Sequence, residues 1–332
     1  MEFRTKIDIP ASDTLITHKS RILMFGSCFI ENMGKLLIDN KFNANLNPFG
    51  ILYNPQSISQ AIRILLTSKK FTEEDIYEHK SIYHSPWHHG TFSDTDKDRC
   101  LNKINDSIGK AENDIKNADI LIITFGTAYV FRSKEKNIVV GNCHKLPANH
   151  FNRYRLDVDS ITNDWTELIK ELKEVNPSLH ILFTVSPIRH LKDGAHDNQI
   201  SKSTLLLAID KLIQANPNTS YFPSYEIVLD ELRDYRFYNE DMTHPNITAI
   251  KYIWERFSET YFNEETFKTM NEWQRIFLAI HHRPSNAQSD EYKDFLRQTL
   301  LKLEAFNKKY PYICCEEELS NLQSTLAEPK RE

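Results

Sequence analysis

A glycine, a serine and a cysteine lie in succession where the sequence changes from a strand pattern to a helix pattern. Ser27 and Cys28 follow Gly26 and the apolar run of residues 22–24, and residues 31–40 have the pattern of a helix. The carboxyl end of a parallel strand faces the ligand crevice of an open α/β sheet, and a helix N-terminus behind it favours developing negative charge. A hydroxyl or thiol at this position is therefore placed to attack a carbonyl carbon.

Two residues far downstream can activate such a nucleophile. Asp241 and His244 form a DxxH pair near the end of the α/β pattern. A serine hydroxyl is a poor nucleophile until a base accepts its proton, and imidazole, with a reference pKa of about 6.5, both accepts and returns one. We therefore predict Ser27 as the nucleophile, His244 as the general base, and Asp241 as the group that orients the imidazole and stabilises its charged form.

Alternatives to these roles remain open. Cys28 is a rival nucleophile, because a thiol near a helix N-terminus can have a lowered pKa and a Cys–His dyad uses the same chemistry. Otherwise Cys28 is a small buried packing residue. Ser27 has the alternative role of a helix N-cap, and Asp241 and His244 that of structural partners in a loop.

Acyl transfer also needs hydrogen-bond donors for the developing oxyanion. The candidates are the backbone N–H of Cys28 or Ser27, that of Gly50, and one from Gly126 or Thr127, because each follows a predicted strand or lies in a predicted turn. A tight turn is the alternative role of the two glycines. The side chain of Thr127 or of Asn142 is a further candidate donor.

Two basic pairs downstream of predicted strands are candidates for the wall of a substrate pocket. They are His144 with Lys145, and Arg189 with His190. A guanidinium binds a carboxylate through two parallel hydrogen bonds, so Arg189 is suited to an anionic substrate. An internal ion pair is the equal alternative for Arg189.

Three further histidines, His84, His88 and His89, stand among aromatic residues. No nearby carboxylate or cysteine completes a recognisable set of metal ligands. We therefore predict a pocket wall or a hairpin core here, and neither a metal nor any other cofactor.

The rest of the pattern predicts the elements that position these residues. Nearly continuous apolar runs such as Ile120–Phe125 and His180–Val185 are typical of buried parallel strands. Further strands are predicted at 21–25, 42–46 and 220–223, and helices at 161–176, 201–216, 225–234 and 247–261, with another that opens at Ser57. The alternation predicts an α/β fold, a three-layer α/β/α sandwich with a mostly parallel five-stranded sheet.

The predicted domain of residues 1–265 includes an insertion at 69–113, which we expect to pack over the carboxyl edge of the sheet and to be helical from Lys97. Residues 266–332 are predicted to form a C-terminal helical extension. Within it, residues 270–316 have heptad-like apolar spacing, which predicts helical structure. The last dozen residues are polar, which predicts a frayed end.

Composition excludes several classes of function. The formal net charge is -5 and no cluster of Lys and Arg offsets it, which argues against nucleic-acid binding. No apolar run approaches membrane-spanning length, so we expect no membrane partner. The five cysteines have no metal or disulfide spacing, and the first ten residues lack an apolar signal-peptide core, so we predict a cytoplasmic protein with reduced thiols. The oligomeric state stays open.

The segment Gly26-Ser27-Cys28-Phe29-Ile30 resembles the signature of the GSCFA family, with Ile30 in place of the final alanine. Five other segments also resemble that family: 47–55, 124–128, 142–145, 185–190 and 235–245. The resemblance therefore spans roughly residues 21–245.

The GSCFA family is placed among the SGNH hydrolases, GDSL-type serine esterases whose relatives include lipases and carbohydrate acetylesterases. A wider similarity is to plant-type polysaccharide acyl esterases and acyltransferases, which use a serine after the first strand and a late DxxH. The resemblance implies an SGNH or flavodoxin-like sandwich with Ser27 at the nucleophile position. The sequence departs from the SGNH pattern at Ala128, where an asparagine is expected.

We therefore expect a carboxylic ester hydrolase that forms an acyl-enzyme on Ser27. Its substrate would be a small-molecule or carbohydrate ester, and by analogy within the fold an O-acetylated sugar. An acyltransferase with the same acyl-enzyme is one alternative. A non-catalytic binding protein that keeps the fold is the other.

Overall fold

A five-stranded sheet is the centre of the α/β part of the computed structural model, which describes residues 4–286 and 288–327. The strands of the chain are β1 (Arg21–Gly26), β2 (Asn43–Leu46), β3 (Tyr77–His79), β4 (Ile82–His84), β5 (Ile120–Phe125), β6 (Tyr129–Ser133), β7 (Phe151–Arg155), β8 (His180–Val185) and β9 (Thr219–Phe222). The central sheet has the order β2-β1-β5-β8-β9 with parallel pairing along β1, β5, β8 and β9.

Helices connect and follow these strands. They are α1 (Cys28–Asp39), α2 (Pro55–Leu66), α3 (Lys97–Asn117), α4 (Val158–Val175), α5 (Ala195–Ala215), α6 (Ser224–Glu226), α7 (Ile247–Tyr261), α8 (Glu264–Ile280), α9 (Asp290–Lys309) and α10 (Glu316–Ala327). A π-helical turn, Ile227–Glu231, follows α6 and occupies half of the predicted helix at 225–234. No helix among the described residues is long and apolar enough to cross a membrane.

The strand order places a ligand crevice at the ends of β1 and β5. The chain adds β2 on one side of β1 and then returns to add β5 on the other side. This is the flavodoxin-like order of doubly wound sheets, in which ligands bind outside the carboxyl ends of the strands where the direction of winding changes. Those ends are Gly26 and Phe125, so the residues directly after them border the crevice.

The sheet is buried because helices cover it. All six residues of β5 are buried, as expected for a strand in a parallel sheet with helices on both faces. The in-register residues Leu23, Leu121 and Ile181 share a core cluster with apolar side chains from α2, α3, α4 and α5. The predicted three-layer α/β/α sandwich with a mostly parallel five-stranded sheet is confirmed.

Two compact units make up the chain. The first contains nearly all of the central sheet and consists of residues 4–11, Arg21–Lys35 and Ala44–Thr260. The second consists of Ser12–Ser20, Leu36–Asn43 and the described residues from Tyr261 onward.

The second unit has its own core between its helices. Trp273 of α8 is buried against Phe306 of α9, and its indole N–H donates to the carbonyl of Asp39 at 2.7 Å. Leu303 and Leu322 extend this cluster along α9 and α10. The helical extension is therefore a packed unit.

The predicted C-terminal helical structure is confirmed, and residues 270–316 are divided between separate helices. Three helices, α8, α9 and α10, occupy this region, and the breaks between them contain Pro284 and Pro311. Proline lacks a backbone N–H and its ring clashes with the preceding turn, which ends a helix. The frayed end was predicted too early in the chain, because α10 continues to Ala327. Residues 328–332 lie outside the described part of the chain.

Two short antiparallel hairpins were not predicted. The first pairs β3 with β4 inside the insertion, and the second pairs β6 with β7 between β5 and α4. Their strands are three to five residues long and rich in polar side chains, such as Arg153 and Arg155, so they lack an apolar pattern. The helix predicted from Lys97 does begin there.

Candidate active site

The turn between β1 and α1 is held in a conformation that only glycine adopts easily. Gly26 has a φ of 154°, and a Cβ at this position would lie 2.6 Å from the carbonyl oxygen of Thr124. Its N–H donates to Oδ1 of Asn47 at 2.9 Å. Helix α1 begins at Cys28, three residues earlier than predicted. Ser27 is thus the last residue before the helix and Cys28 the first residue within it.

Asp241 and His244 form a hydrogen-bonded pair in a tight turn. Oδ2 of Asp241 lies 2.6 Å from Nδ1 of His244, while Oδ1 accepts the backbone N–H groups of Thr243 at 2.9 Å and His244 at 3.0 Å. The backbone N–H groups of His244 and Thr243, followed by the imidazole, hold the pKa of Asp241 well below its usual range. An ionised carboxylate only accepts hydrogen bonds, so Nδ1 carries a proton, and in the neutral form of the imidazole the lone pair is on Nε2.

The lone pair of His244 faces a thiol. Sγ of Cys28 lies 3.7 Å from Nε2 of His244, although the two residues are 216 positions apart. Ser27 and His244, the predicted nucleophile and base, are both within the described residues and form no hydrogen bond with each other. Cys28 is partly exposed, whereas Ser27 is only 1% exposed. The structure therefore brings together Cys28, His244 and Asp241 in one chain of contacts.

Ser27 has local hydrogen-bond partners instead. Its Oγ accepts the N–H of Phe29 at 3.4 Å, and its carbonyl accepts the N–H of Ile30 at 2.9 Å. Both N–H groups belong to the first turn of α1, where they have no partner within the helix. Ser27 thus occupies the position that our alternative role, the helix N-cap, assigns to it.

The surroundings of Cys28 determine how its thiol is activated. Burial raises the pKa of this thiol; the N–H groups of Cys28 and Phe29 and the charge of Lys202 act in the opposite direction, and Glu31 adds to the rise. The thiol is therefore protonated at neutral pH until a base removes its proton. Nε2 of His244 lies 3.7 Å from this sulfur, so His244 is placed to act as that general base.

A buried lysine lies beneath the ends of two central strands, and the sequence analysis missed it. Lys202 of α5 is 0% exposed, and its Nζ donates to the carbonyls of Gly126 and Ser186, each at 2.6 Å. These residues directly follow β5 and β8, so the ammonium group ties the two strand ends together. Burial lowers the pKa of Lys202 to about 7, while Cys28 raises it. Among the described residues no carboxylate forms an ion pair with Lys202.

The sequence did contain a signal for this lysine. Lys202 stands at the spacing of Leu205, Ile209 and Leu212, which are all buried on one side of α5. A cation on the apolar stripe of a helix must find polar partners inside the protein. The position of Lys202 on this apolar stripe can be recognised from the sequence alone.

Three of the predicted oxyanion donors already have partners. The N–H of Gly50 donates to the carbonyl of Asn47 at 2.6 Å. The N–H groups of Gly126 and Thr127 both donate to the carbonyl of Tyr53, at 2.8 and 3.0 Å. The Oγ1 of Thr127 lies 3.1 Å from the hydroxyl of Ser201. The first turn of α1, which starts at Cys28, is the remaining predicted source of backbone donors.

Asn142 and His144 belong to a different part of the surface. Oδ1 of Asn142 accepts the N–H of His144 at 2.8 Å, and Nε2 of His144 lies 2.8 Å from the carbonyl oxygen of Ser85. Both residues line a cavity of about 750 Å³ together with His84 and His89, and this cavity is not lined by Cys28, Asp241 or His244. The described part of the chain contains no group of three or more His, Cys, Asp or Glu side chains suited to a metal ion.

Arg189 and His190 lie next to the loop that carries His244. The N–H of Arg189 donates to the carbonyl of Thr243 at 3.4 Å. Within the described residues Arg189 has no ion pair, so the alternative of an internal salt bridge does not apply. Burial lowers the pKa of His190 to about 4, and its ring meets that of Tyr53 edge-on at 5.9 Å.

The comparison with known families covers most of the chain. Residues 21–257 match the GSCFA family, a range that includes the turn after β1, Lys202 and the DxxH loop. The chain belongs to the GSCFA family. Residues 273–328 match the C-terminal domain of the GSCFA domain protein. No curated protein matches the sequence. The GSCFA resemblance found in the motifs is thus confirmed, and the family extends into the helical extension.

Proposed function

We propose that this GSCFA protein hydrolyses small acyl esters with Cys28 as nucleophile, His244 as general base and Asp241 as the residue that orients the imidazole. The observation that carries the proposal is the 3.7 Å contact between Sγ of Cys28 and Nε2 of His244, whose other nitrogen is bound to Asp241. The proposal keeps the acyl-enzyme chemistry expected from the sequence and moves the nucleophile from Ser27 to Cys28.

The reaction proceeds in two balanced halves. His244 takes the thiol proton as the sulfur of Cys28 attacks the ester carbonyl, and the imidazolium then gives that proton to the departing alcohol, leaving a thioester. Water next attacks the thioester while His244 accepts its proton. The proton returns to the sulfur, and the carboxylic acid leaves. The negative charge of Asp241 stabilises the imidazolium in both halves.

Exposure favours water as the acyl acceptor. The side chains of His244 and Asp241 are 43% and 50% exposed, so water reaches the proposed thioester. The resemblance to SGNH hydrolases suggests an O-acetylated carbohydrate as one substrate of this reaction. The nucleophile after β1, the late DxxH and the order of the sheet support that wider relationship.

The test compares two single-residue variants against 4-nitrophenyl acetate and an acetylated monosaccharide. Cys28→Ala should lower kcat/KM by at least about a thousandfold, because removing a nucleophile abolishes the covalent route. Ser27→Ala should keep kcat/KM within about tenfold and lower the free energy of unfolding by about 1 kcal/mol, because it removes a helix cap. Iodoacetamide should block activity in the native protein.

A matched control and the contrary outcomes complete the experiment. Cys143→Ala removes another partly exposed thiol and should leave both turnover and iodoacetamide inhibition intact. If Ser27→Ala abolishes turnover while Cys28→Ala does not, serine is the nucleophile and our assignment is wrong. Release of acyl product only when a sugar or amine acceptor is added would identify an acyltransferase. A native protein without any ester turnover would support a binding role.

A further inference from the structure

A small cavity lies beside the loop that carries the proposed base. Its volume is about 190 Å³, and Met242, which is flanked by Asp241 and Thr243, forms part of its wall. Arg189 lines the same cavity and is tied to this loop by the hydrogen bond from its N–H to the carbonyl of Thr243. A group bound in the cavity is therefore held against the segment that positions His244.

Most of the residues that line this cavity are apolar or aromatic, and the others are the charged Arg189, Arg233 and Asp234. Val228, Leu229 and Leu232 line it from the segment around the π-helical turn, and Tyr235 and Tyr238 add two rings. An engineered apolar cavity of about 150 Å³ holds one benzene molecule. A space of about 190 Å³ is therefore large enough for one ring or a short carbon chain.

One positive charge in the cavity lacks a counterion. Nη2 of Arg233 is 3.0 Å from Asp230, and Asp234 is 3.7 Å from Nε of Arg236, so these four charges compensate each other. Arg189 has no ion pair among the residues that the structure describes. Its guanidinium offers parallel donors that match the two oxygens of a carboxylate.

We propose that this cavity is the specificity pocket of the enzyme and that it binds a carboxylate, held by Arg189, on a short apolar or aromatic chain. The inference rests on the proposed ester hydrolysis, and it replaces the O-acetylated carbohydrate suggested by the resemblance with esters that carry a carboxylate. The carboxylate belongs either to the acyl group or to the alcohol. Both arrangements place the same chemistry in the cavity.

Two matched pairs of esters test the proposal. The 4-nitrophenyl monoester of glutaric acid, compared with its methyl ester, places the charge on the acyl side. The acetyl ester of 4-hydroxybenzoate, compared with its methyl ester, places it on the alcohol side. In one pair the acid should have a kcat/KM at least about tenfold above that of its neutral partner, the amount expected for one hydrogen-bonded charge.

Arg189→Gln should reduce this acid-to-neutral ratio by about tenfold or more. Arg132→Gln serves as the matched control, because Arg132 is another partly exposed arginine, whose guanidinium contacts the hydroxyl of Tyr154 on the β6–β7 hairpin. It should keep the ratio. If neither acid is preferred, or if Arg189→Gln leaves the preference unchanged, the pocket assignment is overturned while ester hydrolysis stands.

A binding measurement separates failure of the pocket from failure of the proposed function. Titration of the Cys28→Ala variant with 4-hydroxybenzoate should give a dissociation constant that rises about tenfold when Arg189→Gln is added. This result in a protein without ester turnover would support the carboxylate pocket and refute the hydrolase. Equal binding with and without Arg189 would refute the pocket.

Discussion

Acid destabilisation by His88 is a prediction whose size follows from the structure. His88 is 0% exposed, its ring stacks on Phe49 at 4.5 Å, and its Nδ1 lies 2.8 Å from the hydroxyl of Ser85. Its Nε2 is buried without a partner in the described part of the chain. Burial, with a smaller contribution from His144, lowers the pKa of His88 from 6.5 to about 3.

The sign follows from proton binding in the two states. Between pH 6.5 and about 3 the unfolded chain binds a proton at His88 and the folded chain does not. Stability is therefore lost as the pH falls below 6.5. At pH 5, about 1.5 pH units below the unfolded pKa, protonation of His88 stabilises the unfolded state by about 2 kcal/mol. Each pH unit contributes about 1.36 kcal/mol.

The perturbation is His88→Phe, which keeps an aromatic ring against Phe49 and removes the titrating group. The measurement is the free energy of unfolding in urea at pH 8 and at pH 5. We expect its loss from pH 8 to pH 5 to be about 2 kcal/mol smaller in the variant than in the wild type. Other titrating groups cancel in this comparison.

The control is His196→Gln, which replaces an exposed histidine in the first turn of α5. It should lose as much stability between pH 8 and pH 5 as the wild type does. An equal loss in His88→Phe and the wild type would refute the reasoning, since it would mean that the folded protein protonates His88 as readily as the unfolded chain does.

Three further predictions test the active-site turn and its electrostatics. Asp241→Asn should lower kcat by at least about a hundredfold with little change in stability, because the amide no longer fixes the imidazole tautomer; an unchanged kcat would contradict this role. Lys202→Met should raise the pKa of the Cys28 thiol and slow its alkylation by iodoacetamide at pH 7, measured by mass spectrometry of the modified peptide; an equal rate would exclude the ammonium as a stabiliser of the thiolate. Gly26→Ala should lower the free energy of unfolding by about 1–3 kcal/mol, whereas Gly109→Ala, which meets open space on α3, should raise it by about 0.5–1 kcal/mol; equal effects in urea would refute the steric argument.

Local sequence patterns were sufficient for the main fold. The apolar runs at Ile120–Phe125 and His180–Val185 became central strands with unchanged bounds, because a strand covered on both faces must be apolar throughout. Helix α3 began at Lys97 as predicted, where Asp96 accepts an N–H of its first turn. Where the pattern was weak, as in the polar strands of the two hairpins, pairing depends on distant segments and was not predictable.

The sequence predicted the residue types of the candidate site better than it predicted their hydrogen-bond partners. Asp241 and His244 are three positions apart, so their mutual hydrogen bond follows from a local turn. Gly50 and Gly126 were expected as donors to a substrate, yet their N–H groups are taken by the carbonyls of Asn47 and Tyr53. Asn47 lies in the same turn as Gly50, whereas Tyr53 lies in a segment distant from Gly126. The composition of a motif does not indicate which backbone donors are already occupied.

The sequence by itself determined that a hydroxyl and a thiol stand at the end of β1 and that a DxxH pair lies far along the chain. Only the tertiary structure decided that Cys28 and not Ser27 meets His244 across 216 positions. Successive side chains on a helix point about 100° apart, so a start of α1 at Cys28 directs the thiol and the preceding hydroxyl to different neighbours. That start, and the folding of the DxxH loop onto the end of β1, depend on packing between distant segments, which a local pattern does not contain.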